Sequence, residues 1–219
     1  MSKQNIVIID TSIANIFNVQ RAFHKVGVNT KISNKKEEVL NADKIVLPGV
    51  GAFSEGMAAL KKNNLIVAIK KAANDGKPLL GICLGMQMLM TTSNEDGVHS
   101  GLDLIKGCVK RFDSPVKEKQ FKIPHYGWSQ ISTPKLAPAN IWDHSILSGL
   151  NNENLFCYFV HSYFVKTKKP IHTIGETFYG NNLFASVIKN KNVTGCQFHP
   201  ERSSTDGLEI INNFVNIKG

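Results

Sequence analysis

The sequence predicts an α/β fold with a central, mostly parallel open sheet flanked by helices and a more antiparallel C-terminal half. Over the first half, apolar β-branched runs alternate with segments of helical periodicity. In the second half, strand-like runs follow one another with few helical patterns between them, and a last amphipathic segment is placed to close onto the sheet.

Asn5 to Ile9 is a short apolar run and predicts the first strand. Ala14 to Val26 predicts a helix, with Ile16, Val19, Ala22, Phe23 and Val26 at helical spacing and Gly27 ending it. Asn29 to Ile32, Lys44 to Leu47 and Pro78 to Ile82 predict the second, third and fourth strands, and Ser54 to Lys62 and Leu65 to Asp75 predict helices between the last two. Such alternation implies parallel strands with helices on both faces. Strand-like runs then span Ile105 to Phe112, Lys122 to Ile131, Leu155 to Lys166, Ile171 to Glu176, Leu183 to Lys189 and Asn192 to Gln197. Asp206 to Ile217 predicts the closing helix. No repeat, low-complexity tract or linker interrupts the chain, so residues 1–219 are expected to form one domain with one sheet and one core.

The chain has 219 residues, 42% of them hydrophobic and 20% charged, ample for one packed core. MSKQNIVIID runs directly into a strand pattern without the features of a leader, and no apolar run reaches membrane-spanning length. A cytoplasmic protein without membrane association is the expectation. The four cysteines, Cys83, Cys108, Cys157 and Cys196, are far apart and lie in or beside apolar segments, which fits a reducing compartment. Lys and Arg number 26 against 17 Asp and Glu, a formal charge of +9, but the lysines are scattered without a basic, aromatic-interleaved stripe. Nucleic acid is therefore not expected as a partner, whereas an acidic protein surface is compatible. The histidines show no metal-ligand spacing, so neither metal nor cofactor is expected.

Three segments carry chemistry. Pro78 to Ile82 reads as a strand that turns sharply at Cys83 into a helix from Leu84 to Met90, the layout of a nucleophile elbow with cysteine in place of serine. Gly81 and Gly85 remove side chains that would clash in so tight a turn. A helix N-terminus favours a thiolate at Cys83 and presents the Leu84 amide to an oxyanion. A buried core thiol is the competing reading. His199-Pro200-Glu201 ends a strand with an imidazole and a carboxylate two residues apart, which suits a base and its orienting partner. Leu47 to Phe53 is glycine-rich between a strand and a helix; it does not complete a phosphate-loop pattern, and its amides are candidates for the second half of an oxyanion hole.

With these residues in place, the sequence resembles the class I (triad) glutamine amidotransferases over nearly its whole length. The resemblance runs through Asp10 to Asn15, Pro48-Gly49-Val50-Gly51-Ala52-Phe53, Gly81-Ile82-Cys83-Leu84-Gly85-Met86-Gln87, Pro124-His125-Tyr126-Gly127-Trp128, Tyr158-Phe159-Val160-His161-Ser162-Tyr163 and Gln197-Phe198-His199-Pro200-Glu201-Arg202-Ser203. The segments at Pro124 and Tyr158 look most like the glutaminase subunits of imidazole glycerol phosphate synthases. The resemblance implies a flavodoxin-like fold and glutamine hydrolysis by a triad of Cys83, His199 and Glu201. It implies oxyanion stabilisation at Gly49, Val50, Gly51 and Leu84, and glutamine contacts at Gln87, Ser162 and Tyr163. It also implies a heterodimer with a (β/α)₈-barrel cyclase or synthase subunit that takes the ammonia in histidine biosynthesis. Asn15, Pro124, His125, Gly127, Trp128 and Arg202 are the residues expected toward that partner.

Three departures from the family pattern fall in these partner-facing segments. Asp10-Thr11-Ser12-Ile13-Ala14-Asn15 lacks both glycines of Asp-Tyr-Gly-x-Gly-Asn, Ser129 replaces an asparagine after Gly127-Trp128, and Arg202 stands where lysine is common. A paralogue feeding ammonia to a sugar-amidating synthase of surface polysaccharide synthesis is the alternative they raise. A silent binding module of the same fold and a stand-alone γ-glutamyl hydrolase are further readings; the intact triad opposes the first and the Pro124 to Trp128 segment the second.

Overall fold

Ile6, Val7, Ile8 and Ile9 are all buried, as a strand covered on both faces requires. In the computed structural model, which describes residues 4–12, 15–113 and 121–217, they form β1 (Ile6–Ile9), paired on both sides within a parallel region. Along the chain follow α1 (Ile16–Lys25), β2 (Thr30–Ser33), α2 (Lys36–Asn41), β3 (Lys44–Gly49), α3 (Phe53–Lys62), α4 (Leu65–Asn74), β4 (Leu79–Cys83) and α5 (Leu84–Met88). The second half contributes β5 (Thr92–Ser93), β6 (His99–Ser100), β7 (Gly107–Arg111), β8 (His125–Gln130), β9 (Phe156–His161), β10 (Tyr163–Thr167), β11 (Thr173–Tyr179), β12 (Asn182–Asn190), β13 (Val193–Cys196) and α6 (Ser204–Asn216).

The main sheet has eleven strands in the order β2-β1-β3-β4-β13-β12-β10-β7-β5-β6, with β11 added alongside β12. From β2 to β13 all neighbours are parallel, and from β13 to β7 all are antiparallel. The expected parallel region and antiparallel second half are therefore both present in one sheet. Alternating side chains divide the interior into two clusters. Ile6, Ile8, Val46, Leu80 and Ile82 face α1 and α6, where Phe23 and Phe214 meet edge to face at 6.3 Å. Val7, Ile9, Ile45, Leu47 and Leu79 face the helices α2 to α5.

Several expectations are corrected. The helix α2 carries one buried residue, Val39, and so has no apolar stripe to betray it in the sequence. The run Leu155 to Lys166 is two strands in two sheets: β9 pairs with β8 as a separate two-stranded ribbon, whereas β10 joins the main sheet after the break at Ser162. One sheet and one core thus become a sheet plus a ribbon, with a core on each face. Ile171 lies in a 3₁₀ turn, Pro170–His172, ahead of β11. The helix after Cys83 ends at Met88 rather than Met90. Residues 13 and 14, where the first helix was expected to begin, lie outside the described residues.

Two polar contacts tie the layers together. The buried Lys44 ammonium, at the start of β3, donates to the carbonyls of Phe214, Val215 and Ile217 at the C-terminal end of α6. A cation there meets unsatisfied helix carbonyls and the negative end of the helix dipole. Burial lowers the Lys44 pKa while the Asp43 charge opposes that shift. On the other face, Lys77 donates to Leu40 and Ala42 carbonyls at the end of α2.

The closest backbone approach lies between α5 and the parallel strands. A Cβ at Gly85 would sit 1.7 Å from the Leu47 carbonyl oxygen, and one at Gly81 would sit 2.8 Å from the Gly85 backbone. No rotamer relieves a clash with main chain, so these glycines set how deeply α5 seats on β3 and β4. Gly85→Ala is expected to lower unfolding stability by about 3 kcal/mol or more, measured as the shift in urea midpoint against the unchanged protein.

Candidate active site

Parallel register brings three strand ends to one edge of the sheet. Gly49 of β3 lies opposite Cys83 of β4, and Ile82 lies opposite Cys196 of β13. The segments leaving these strands are the Gly49-Val50-Gly51 loop, the elbow at Cys83 and the stretch to His199 and Glu201, so they meet at the carboxyl ends of the strands. This is where open α/β sheets bind ligands.

Cys83 has φ 54° and ψ −111°, a left-handed conformation for a non-glycine residue, between a strand and a helix. Such strain persists only where surrounding packing enforces it, and the seating of α5 on Gly81 and Gly85 does so. Cys83 is buried yet lines a pocket of about 290 Å³ with Val50, Gly51, Leu84, Gln87, Glu95, Val160, His161, Ser162 and Tyr163. The residues expected at the oxyanion and at the glutamine therefore share one cavity with Cys83, apart from Gly49. That residue packs against Leu84 from the side of a small adjoining cavity, which it lines with Asn15, Pro48, Val50, His199 and Glu201.

His199 Nδ1 and Glu201 Oε1 are 2.8 Å apart, both side chains being almost wholly buried. Among the described residues the remaining ring nitrogen, Nε2, has no hydrogen-bond partner. Burial alone lowers the His199 pKa, but the negative charge of Cys83, its hydrogen-bonding capacity and the Glu201 carboxylate outweigh that effect and raise it to about 10. The direction of the shift favours the protonated ring when Cys83 carries a negative charge. Pro200 to Arg202 form a short 3₁₀ turn, and Ser203 Oγ donates to the His199 carbonyl, which holds the two side chains on one side.

His125 and His161 form the opposite environment. His161 Nδ1 donates to the Tyr163 carbonyl at 2.8 Å, His125 Nδ1 lies 3.1 Å from His161 Nε2, and Ser129 Oγ lies 2.9 Å from His125 Nε2. Phe159 and Tyr179 stack on the His125 ring. Burial lowers the His125 pKa to about 4, and burial followed by the neighbouring His125 lowers that of His161 to about 3. Both rings are neutral hydrogen-bonding elements.

This burial corrects one expectation for the partner-facing set. His125 points inward and is 1% exposed; the exposed aromatics of β8 are its neighbours Tyr126 and Trp128, at 69% and 52%. Alternation along the ribbon explains the swap. Tyr126 and Trp128 both meet the Tyr158 ring edge to face, and the Arg202 guanidinium lies 4.2 Å from the centre of the same ring. Pro124 and Asn15 are exposed as well. The Tyr158 carbonyl accepts the His199 amide at 2.9 Å, so this aromatic surface is joined to His199 by a backbone contact.

Two site residues escaped the reading of the sequence. Glu95 lines the Cys83 pocket and accepts from the Phe53 amide at 2.7 Å. Burial raises its pKa, opposed by that hydrogen bond. In the sequence it is one acid in a polar loop, indistinguishable from surface charge. Gln197 donates to Cys83 Sγ at 3.7 Å; it stands two residues before His199 in the Gln197 to Ser203 motif, where the sequence pattern gives its side chain no role. Among the described residues no group of His, Cys, Asp or Glu is arranged to hold a metal ion, and no helix is long and apolar enough to cross a membrane.

Comparison with known proteins agrees with this geometry. The family model for class-I glutamine amidotransferases matches residues 7–217. The chain is 42% identical over 213 residues to the imidazole glycerol phosphate synthase subunit HisH of Sulfurimonas denitrificans, covering 97% of this chain and 98% of that protein. It is 44% identical over 215 residues to the protein of the same name from Methanosarcina acetivorans, covering 98% and 99%. Among solved structures, the glutaminase domain of Trypanosoma brucei CTPS superposes with a TM-score of 0.63 at 16% identity, covering 99% of this chain and 95% of that one. PurLQS from Thermotoga maritima does so at 0.69 and 16% identity, covering 98% of each. The two structural likenesses bear on the fold.

The neutral histidine pair makes stability pH-dependent. Unfolded, both rings titrate near pH 6.5; folded, they stay neutral until about pH 4 and about pH 3. Between these limits the unfolded chain binds more protons, so stability falls on acidification by about 1.4 kcal/mol per pH unit for each histidine. Urea unfolding at pH 5.5 and 4.5 is expected to show this slope, with His161→Gln shallower than the unchanged protein by one histidine's share.

Proposed function

Because this chain belongs to the class I glutamine amidotransferase family, we propose that it is the glutaminase subunit of an imidazole glycerol phosphate synthase, delivering ammonia to a (β/α)₈-barrel cyclase subunit in histidine biosynthesis. The observation that carries the chemistry is the meeting, at one sheet edge, of a strained Cys83 with a His199 imidazole held by Glu201.

Glutamine occupies the Cys83 pocket with its side-chain amide toward the sulfur. The Glu95 carboxylate suits the α-ammonium group, while Gln87, Ser162 and Tyr163 supply polar contacts along the same wall. The Cys83 thiolate attacks the amide carbon, and negative charge moves to the carbonyl oxygen. The Leu84 amide, at the first turn of α5 where no intrahelical partner exists, donates to that oxygen together with the Val50 amide. His199 gives its Nε2 proton to the departing nitrogen, and ammonia leaves behind a thioester at Cys83. Neutral His199 then takes a proton from water, and the hydroxide attacks the thioester carbon. Glutamate departs, the thiolate is restored, and the proton stays on His199.

Ammonia released to neutral water becomes ammonium and loses its nucleophilicity, so it requires an enclosed route to its acceptor. The exposed Tyr126 and Trp128 beside Arg202 supply a docking face next to the triad, and buried aromatic and arginine anchors are what protein interfaces use. The relatives named as synthase subunits match along almost the full chain and support the cyclase as the partner. A second reading rests on Ser129, whose hydroxyl is turned inward to His125 where the family's usual asparagine follows Gly-Trp. It assigns the same glutaminase to a sugar-amidating synthase.

Glutamate release from glutamine, measured for the chain alone and with the cyclase subunit plus its ribonucleotide substrate, decides between them. Strong stimulation is expected; a basal rate that depends on Cys83 but is not stimulated would assign the chain to the sugar-amidating synthase. Cys83→Ala is expected to lose about a thousand-fold or more of the hydrolysis while still binding the partner in sedimentation, and retained turnover would overturn the mechanism. Trp128→Ala is expected to weaken the complex by about ten-fold or more, measured by titration calorimetry.

A further inference from the structure

Gln197 is fully buried, and no step above uses it. Its Nε2 donates to Cys83 Sγ at 3.7 Å, and its Oε1 accepts from Gln87 Nε2 at 3.2 Å. The direction of this amide is determined by its neighbours. The Tyr163 main-chain carbonyl can only accept, and it receives Gln87 Nε2 at 2.9 Å, so the atom of Gln87 placed there is its nitrogen. The Gln197 atom facing that nitrogen must be an acceptor, which leaves the Gln197 NH₂ for the sulfur. Reversing Gln197 would set NH₂ against NH₂ on one side and a carbonyl oxygen against the sulfur on the other.

The same carbonyl orders a second branch. It accepts from His161 Nδ1, so His161 Nε2 is an acceptor and takes the His125 Nδ1 proton. His125 Nε2 in turn accepts from the Ser129 hydroxyl. Burial keeps both rings neutral, which preserves this direction throughout the physiological range. One backbone carbonyl thus sets the sense of both side-chain branches, through Gln87 and Gln197 to Cys83 and through His161 and His125 to Ser129.

We propose that Gln197 is a positioning residue for Cys83, a donor of fixed polarity that holds the sulfur as acceptor and favours its anionic form. The proposal rests on the reading of Cys83 as nucleophile. Hydrogen bonds to charged acceptors are stronger than those to neutral ones, so the donor acts on the thiolate more than on the thiol. The titratable groups around the sulfur are His199 with Glu201 beyond β13, Cys196 within β13, His161 and Tyr163 at the β9–β10 break, and Glu95 after α5. Gln197 is uncharged, so its contribution depends on which end of the amide meets the sulfur and separates from theirs on substitution.

The test is the pH profile of iodoacetamide alkylation at Cys83, followed by mass spectrometry of its peptide in the full chain. Gln197→Met keeps the volume without the donor, and Gln197→Glu keeps the shape while putting oxygen in place of nitrogen. The half-maximal pH is expected to rise by roughly one unit in Gln197→Met and further in Gln197→Glu. Glutamine turnover should fall about ten-fold in kcat with KM changed less than about two-fold. An unshifted profile in Gln197→Met, with native circular dichroism and melting, overturns the proposal; should Gln197→Met fail to fold, Gln197→Leu, which also lacks the donor and adds no charge, decides. Failure of the nucleophile reading is seen separately, as hydrolysis surviving Cys83→Ala, because alkylation does not depend on turnover.

Discussion

The Leu47 carbonyl oxygen lies where a side chain at residue 85 would begin, and that contact lets α5 rest directly on β3 and β4. Cys83 is thereby bent into its left-handed turn, with the first amide of α5 behind it and the Gly49 loop beside it. Parallel pairing then supplies the rest of the site at no further conformational expense: β13 runs next to β4, so whatever follows Cys196 emerges at the same edge. His199 and Glu201 follow it.

Histidines at the site show how environment assigns roles to one residue type. His199 is buried beside Cys83 and the Glu201 carboxylate, and its pKa is raised to about 10. His125 and His161 are buried among aromatic rings, a carbonyl and a hydroxyl, and remain neutral to about pH 4 and about pH 3. Desolvation acts on all three in the same direction; only the presence of an ionised partner reverses it. The proposed proton carrier thus differs from the two neutral rings in having an acidic neighbour, Glu201.

The break at Ser162 divides the second half between two sheets. Strand β9 leaves the main sheet to pair with β8, carrying Tyr158 under Tyr126, Trp128 and Arg202. Strand β10 returns to the sheet and brings the Tyr163 carbonyl to Gln87 and His161. A surface suited to a partner and a pocket suited to glutamine are thus built from one continuous segment, and His199 hydrogen-bonds to it through the Tyr158 carbonyl.

Much of this was legible in the sequence because it is local. Alternating periodicities determine the parallel half, the two glycines around Cys83 determine an elbow, and the His-Pro-Glu turn determines a side-by-side imidazole and carboxylate. What required the tertiary structure is whatever depends on contacts between distant segments. The charged helix α2 has no apolar stripe, and the run through Leu155 to Lys166 shows no sign that it serves two sheets. The inward turn of His125, the arrival of Glu95 in the pocket and the hydrogen bond from Gln197 to Cys83 are likewise fixed only on folding. The sequence by itself determined the types and spacings of the candidate groups Cys83, His199 and Glu201, since these are covalent facts. Their protonation, orientation and exposure were decided by the fold, because burial and pairing arise only when separate strands come together.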